Sequence, residues 1–157
     1  MEARAAVLDS RLVVLVRLMV GIVFFTEGIQ KFLYPADLGA GRFAKIGIPW
    51  PDVMGPAVGV AEIICGALVL AGLLTRPAAA ILLVDISVAL VTTKLPILLG
   101  HPLGPFTLAK LPRYGFLAAM HEARTDLCMW LGCVFLIRAG AGAFSAQRRD
   151  RSVTSSG

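Results

Sequence analysis

Several ionisable residues of this chain stand inside apolar runs or at their edges: Arg17, Glu27, Lys31, Glu62, Asp85, Lys94, His121, Glu122, Arg124 and Asp126. An ionisable group near a bilayer centre costs about 2.5–3.5 kcal/mol to insert. A few such groups together rival the stability of a whole small domain, about 5–15 kcal/mol. They must therefore be paired, protonated or turned into a bundle interior. Carboxylates that outnumber nearby cations are the groups that hold and move protons.

Depth sorts them into two groups. Counted from the end of each run nearest the termini, at about 1.5 Å per residue, Arg17 falls at about 9 Å and Asp85 at about 12 Å. Those two are expected to form an inner ion pair, for which a structural role in packing is the favoured reading. Glu62 falls near about 20 Å, Glu27, Glu122, Arg124 and Lys94 at about 21–25 Å, with Asp126 slightly deeper and Lys31 at the outer interface. Together with His121 they are expected to form one polar cluster in the outer half of the membrane, and here a functional role is favoured. Helical phase agrees: Arg17, Gly21, Phe24, Gly28 and Lys31 share a stripe, Gly55, Gly59, Glu62 and Gly66 share a face, and Glu122, Asp126 and Cys133 line one side. Gly55 and Gly59 also make a small-x-x-x-small pair that permits close helix contact.

Other chemistries find less support. His121-Glu122 begins like a zinc-protease helix motif, but Thr125 stands where the second histidine belongs. His101 sits in a Pro/Gly loop, so neither a metal nor an intramembrane haem is expected. Three cysteines cannot all pair within the chain, and no C-x-x-C occurs. Cys65 and Cys128 both fall at about 15 Å from the inner surface and are candidate facing thiols, although a buried structural cysteine is the commoner outcome. No phosphate-binding loop and no nucleophile–base–acid set is visible.

The elements that position these residues follow from composition. Of 157 residues, 57% are hydrophobic and 16% charged, and the mean hydropathy is +0.80. A soluble domain carries about 45–50% apolar and about 25% charged residues. The excess is collected into four stretches of bilayer-spanning length, at about 12–33, 53–74, 78–95 and 116–137. The first is too long for a signal peptide and reads as an anchor that stays in the membrane. With no β-type alternation, the expected fold class is all-α: a polytopic membrane protein, a four-transmembrane-helix bundle over residues 1–147, followed by a disordered basic tail, 148–157. Arg76-Pro77 makes a tight turn between the second and third spans, whereas the two outer connections, Tyr34 to Asp52 and Pro96 to Gly115, are long. The net charge of +5 is spread along the chain, which speaks against nucleic acid. Basic residues packed into the short flanks (Arg4, Arg11, Arg76, Arg138, Arg148, Arg149, Arg151) place both termini in the cytoplasm of a bacterial cell membrane.

The chain resembles the DoxX family of small four-helix membrane proteins. The resemblance is carried by Arg17-x-x-x-Gly21, Glu27-Gly28-x-x-Lys31-Phe32, Gly59-x-x-Glu62, the turn Gly72-Leu73-Leu74-Thr75-Arg76-Pro77-Ala78-Ala79, Glu122, and Gly140-Ala141-Gly142-Ala143-Phe144-Ser145. Where such proteins often end Ser-x-Asp, this chain has Ser145-Ala146-Gln147. The resemblance implies association with membrane redox systems, among them a quinone-reducing thiosulfate oxidoreductase and a mycobacterial complex joining a superoxide dismutase to a sulfurtransferase. The bundle is similar to that of membrane thiol oxidoreductases, but their dithiol is missing.

Three readings result. The first is a subunit of a quinone- or thiol-linked redox complex, whose outer polar pocket binds a quinone, with Glu27, Glu62, His121, Glu122 and Arg124 as proton donors. No covalently bound cofactor is expected, so electrons would arrive from a soluble oxidoreductase partner. The second is a non-enzymatic scaffold or assembly factor, and the third a small proton-coupled carrier, for which a homo-oligomer would supply the pathway.

Overall fold

The computed structural model describes residues 2–142, with side chains from residue 11 onward. In hydrocarbon each backbone N–H must find its acceptor within its own segment, so long runs of Leu, Val, Ile and Ala become helices. Four long helices pack together: α1 (Glu2–Leu33), α3 (Pro51–Ala71), α4 (Thr75–Ala89) and α6 (Phe116–Ala139), with short α2 (Ala40–Ile46) and α5 (Leu95–Leu99) between them. The architecture is all-α; among the described residues no strand forms, only an isolated bridge between Leu103 and Phe106. Three stretches are long and apolar enough to cross a membrane: Arg11–Leu33, Pro51–Ala71 and Thr75–Leu99. α6 has the length of a fourth, but its first half carries His121, Glu122, Arg124 and Asp126.

The boundaries move in two places, and both moves matter. α3 ends at Ala71 because Gly72 (φ 71°) takes the left-handed cap, donating to the carbonyls of Leu68 and Val69. α4 then starts at Thr75, three residues before the expected Ala78. Its helix does not fade at Lys94. Residues Leu90–Lys94 form a π-turn, and α5 carries the span on to Leu99. The cause is Pro96, which lacks an N–H and crowds the carbonyl four residues back, so the chain widens for one turn. The outer connection after α1 is not all loop either. It holds α2, tied to the second outer loop by Thr107, whose N–H donates to the Ile46 carbonyl (2.9 Å) and whose hydroxyl donates to that of Lys45 (2.6 Å).

α1 and α3 are the closest pair, antiparallel along a glycine seam. A methyl group at Gly28 would stand 2.7 Å from the Gly59 carbonyl oxygen, and one at Gly66 would stand 2.8 Å from the Phe25 amide nitrogen. No side chain fits at either point, so backbone meets backbone, as small residues allow in membrane helices. Gly55 performs the same service for the start of α2, against Ala40. The rest of the core is filled by Val20, Val69, Ala79, Leu82, Cys133 and Leu136, all fully buried. α6 lies against α4 and α1. Trp130 donates its indole N–H to the Ser87 hydroxyl (3.0 Å), and Gly132 faces Val20 and Met19.

The C-terminal ends of α3 and α6 and the start of α4 meet at one pole, against the middle of α1. There the buried Arg17 guanidinium donates to the carbonyls of Val69 (2.9 Å), Leu70 (2.7 Å) and Ala141 (2.9 Å). The tail expected at 148–157 lies outside the described residues, as does Ser145.

Candidate functional site

Shortening α3 and lengthening α4 toward the turn puts Glu62 nine residues before Ala71 and Asp85 ten residues after Thr75. Both then lie about 14–15 Å from that turn, on facing helices, at one level. Their carboxyl groups lie close enough to interact. Lys31 completes the group: its Nζ is 2.5 Å from Glu62 Oε2, and the two side chains are only 11% and 7% exposed. The reach has a geometric basis. Helical side chains lean toward their own N-terminus, and α1 and α3 are antiparallel. Lys31 therefore leans inward from the outer end of α1 while Glu62 leans outward to meet it, past Gly28 and Gly59.

An ionised carboxylate can only accept hydrogen bonds. Two carboxyls side by side in a buried site can share one proton, because like charges that close do not readily both ionise. Sharing one proton would leave the pair a single negative charge, which the Lys31 ammonium balances. The arrangement is a buried group of two carboxyls and one ammonium, the kind of chemistry that can hold a proton. Asp85 keeps a partly exposed face, whereas Glu62 is buried.

Two thiols flank it. Cys65 and Cys133 are buried in the core, each within electrostatic reach of Asp85. The expected facing pair, Cys65 with Cys128, is not formed. Five residues separate Cys128 from Cys133, about 140° of helical rotation. Met129, Gly132, Cys133 and Leu136 turn inward, and Cys128 is left exposed.

The remaining candidates divide. The expected inner pair of Arg17 with Asp85 is not formed, because the carbonyls at the C-terminus of α3 take the guanidinium and Asp85 turns to Glu62. A cation there also favours the negative end of the α3 dipole. A methyl group at Gly72 would collide with this guanidinium, so the cap residue must lack a side chain. The single outer cluster also breaks up. Lys94, at the end of the π-turn that follows α4, pairs with Asp126 of α6 (3.4 Å), and both are partly buried. His121 and Arg124 touch each other (3.3 Å) on an exposed part of α6. Glu27 and Glu122 are exposed on α1 and α6 and line no interior pocket. Sequence reading placed Lys31 and Glu62 in one cluster and missed that Asp85 belongs there.

Among the described residues no group of three His, Cys, Asp or Glu side chains is placed to hold a metal ion. An open groove of about 510 Å³ runs along α4, lined by Leu83, Val84, Ser87, Val88, Val91, Thr92 and Phe106. Its centre is turned about 100° round the helix from Asp85, with Val88 and Thr92, at i+3 and i+7, bordering the Asp85 face.

Comparison with known proteins gives two matches. The DoxX family model matches residues 12–95, which hold α1 from Leu12 onward, α3, α4 and the Lys31–Glu62–Asp85 group. An uncharacterized membrane protein of Mycobacterium tuberculosis is 52% identical over 137 residues, covering 87% of this chain and 80% of that protein. No solved structure matches.

Proposed function

The chain belongs to the DoxX family of membrane proteins, and we propose that it is an integral-membrane subunit of a quinone- or thiol-linked redox complex, with Lys31, Glu62 and Asp85 as its proton-handling site. The observation that carries this reading is the contact between the Glu62 and Asp85 carboxyls, balanced by Lys31, inside the bundle. Reduction of a quinone or a disulfide consumes protons together with electrons. A carboxyl pair that shares a proton can pass it on and be reprotonated; release leaves one net negative charge beside Lys31, so it is coupled to uptake of a second proton. Electrons enter from a soluble oxidoreductase partner, and the exchangeable carrier is a quinone or a thiol couple. In this reading α6 is a fourth crossing. Both termini then lie on the cytoplasmic side of a bacterial cell membrane, with Arg11, Arg76 and Arg138 at that pole.

The test is purification of the affinity-tagged protein in mild detergent, with mass spectrometry of co-purifying proteins and lipids. A parallel assay measures quinone-linked respiration in cells carrying Asp85→Asn in place of the wild type. Asn keeps a hydrogen-bonding partner for Glu62 and leaves the Lys31–Glu62 ion pair, so the fold survives while proton exchange is lost. The expected result is a co-purifying oxidoreductase and respiration lowered to the level of a deletion strain. Recovery of the protein with phospholipid alone, and respiration unaffected by deletion, would overturn the proposal. Transport of a proton-coupled solute would then be measured first, since the same carboxyl pair suits a small carrier.

A further inference from the structure

Six exposed residues of α6 fall at alternating spacings of four and three: Leu117, His121, Arg124, Cys128, Leu131 and Phe135. That is the spacing of a seam on which another helix packs. Exposed leucine is ordinary in a bilayer. Arginine and histidine on the same stripe are not, because lipid offers them no partner.

Their depth follows from the register of α6 on its neighbours. Gly132 faces Val20 of α1. Eight residues outward along α6 is Arg124, and seven outward along α1 is Glu27, both about 10–12 Å beyond that contact. The Lys94–Asp126 pair ties the same level of α6 to the apolar span that continues to Leu99. Glu27 itself lies about 9 Å inside the outer end of α1 at Leu33. It shares an α1 stripe with Val16, Val20 and Val23, the side that faces α6 where the two helices touch. Glu27 is exposed, and no ion pair or side-chain hydrogen bond joins it to any described residue. Arg124 touches His121 and no carboxylate among the described residues.

One flank of the bundle thus carries both signs of charge, unneutralised, at one depth within the apolar spans. We propose that a second copy of this chain covers this flank, the Glu27 of each copy pairing with the Arg124 of the other about a two-fold axis near Cys128. A face holding a carboxylate and a guanidinium at the same level is self-complementary under a two-fold axis normal to the membrane, which brings equal depths together. The proposal rests on the reading of α6 as a fourth crossing, but not on the redox role, since it uses none of the Lys31–Glu62–Asp85 group.

Cys128 makes it testable in native membranes, because Cys65 and Cys133 are buried and Cys128 is exposed on the seam. Membranes holding the full chain are treated with a short bis-maleimide, and the mass of the protein in lipid nanodiscs is measured alongside. The expected result is a dimer-sized crosslink that Cys128→Ser abolishes, with a dimeric mass in nanodiscs. Glu27→Arg and Arg124→Glu should each lower the crosslinked fraction about tenfold, the effect of about 1.4 kcal/mol, and the double variant should restore it. Thermal unfolding of each variant checks that it folds. A monomeric mass without crosslink, a crosslink to a different protein, or a folded double variant that does not recover would each overturn the proposal.

Discussion

Lys31 is the residue on which the interior balances. Removing one partner of a buried charge pair leaves the other uncompensated, at a cost of about 3–5 kcal/mol, whereas replacing both by apolar groups of similar volume is often neutral. Lys31→Met leaves the Glu62–Asp85 pair with no cation, and should destabilise the protein by that amount. Lys31→Met with Glu62→Met should recover most of the loss. Thermal unfolding in detergent measures both, and additive losses would show that the two side chains do not act as one unit. The sequence revealed that these groups are buried in a membrane, because the cost of an unpaired charge follows from residue type and hydropathy alone. It did not reveal who pairs with whom. Asp85 was assigned to Arg17 on depths counted from the ends of apolar runs, and a three-residue error at each end of the Gly72–Leu74 turn amounts to about 4–5 Å. Leu73 and Leu74 are apolar but not helical, so hydropathy could not mark the true boundary. Gly72, the one cap signal there, could have done so.

At the scale of elements, the α1–α3 seam decides whether Lys31 and Glu62 meet. The glycines at 28, 59 and 66 let the two backbones touch, and a larger side chain must push them apart. Gly28→Val, aimed at the Gly59 carbonyl, should cost about 3 kcal/mol, the upper end of overpacking effects. It should also separate Lys31 from Glu62, so that Lys31→Met costs less in that background than in the wild type. Unchanged thermal stability of Gly28→Val would show that the seam is looser than the structure has it. This seam was partly legible, since glycine recurs on both helical faces. Helical phase puts Glu122, Asp126 and Cys133 on one side of α6 but was not applied to Cys128. Cys128 was matched to Cys65 by depth, and depth says nothing about the 140° that turns it outward. The π-turn at Leu90–Lys94 was read as the end of a helix, because proline in a sequence marks a break without telling whether the helix resumes.

For the molecule as a whole, composition was sufficient for the all-α membrane architecture and for the long antiparallel helices. The combined pattern of short motifs was sufficient for the family. The organisation of polar groups was not, because it depends on which faces of α1, α3, α4 and α6 turn toward each other. The structure replaces one diffuse outer cluster with three separate features. Lys31, Glu62 and Asp85 sit in the middle of the bundle, Lys94 and Asp126 tie α6 to α4, and Glu27 and Arg124 stand on an outer flank. Only the first brings two carboxyls, a paired cation and adjacent buried thiols together, the features on which the proposed proton exchange rests.

That site is tested most directly by infrared difference spectroscopy on native membranes, comparing oxidised and reduced states of the carrier pool. The account predicts a change in the protonated-carboxyl C=O band that Asp85→Asn and Glu62→Gln each remove, while Glu27→Gln and Glu122→Gln leave it in place. A spectrum with no carboxyl change between the two states, or a change untouched by both Asp85→Asn and Glu62→Gln, would contradict it.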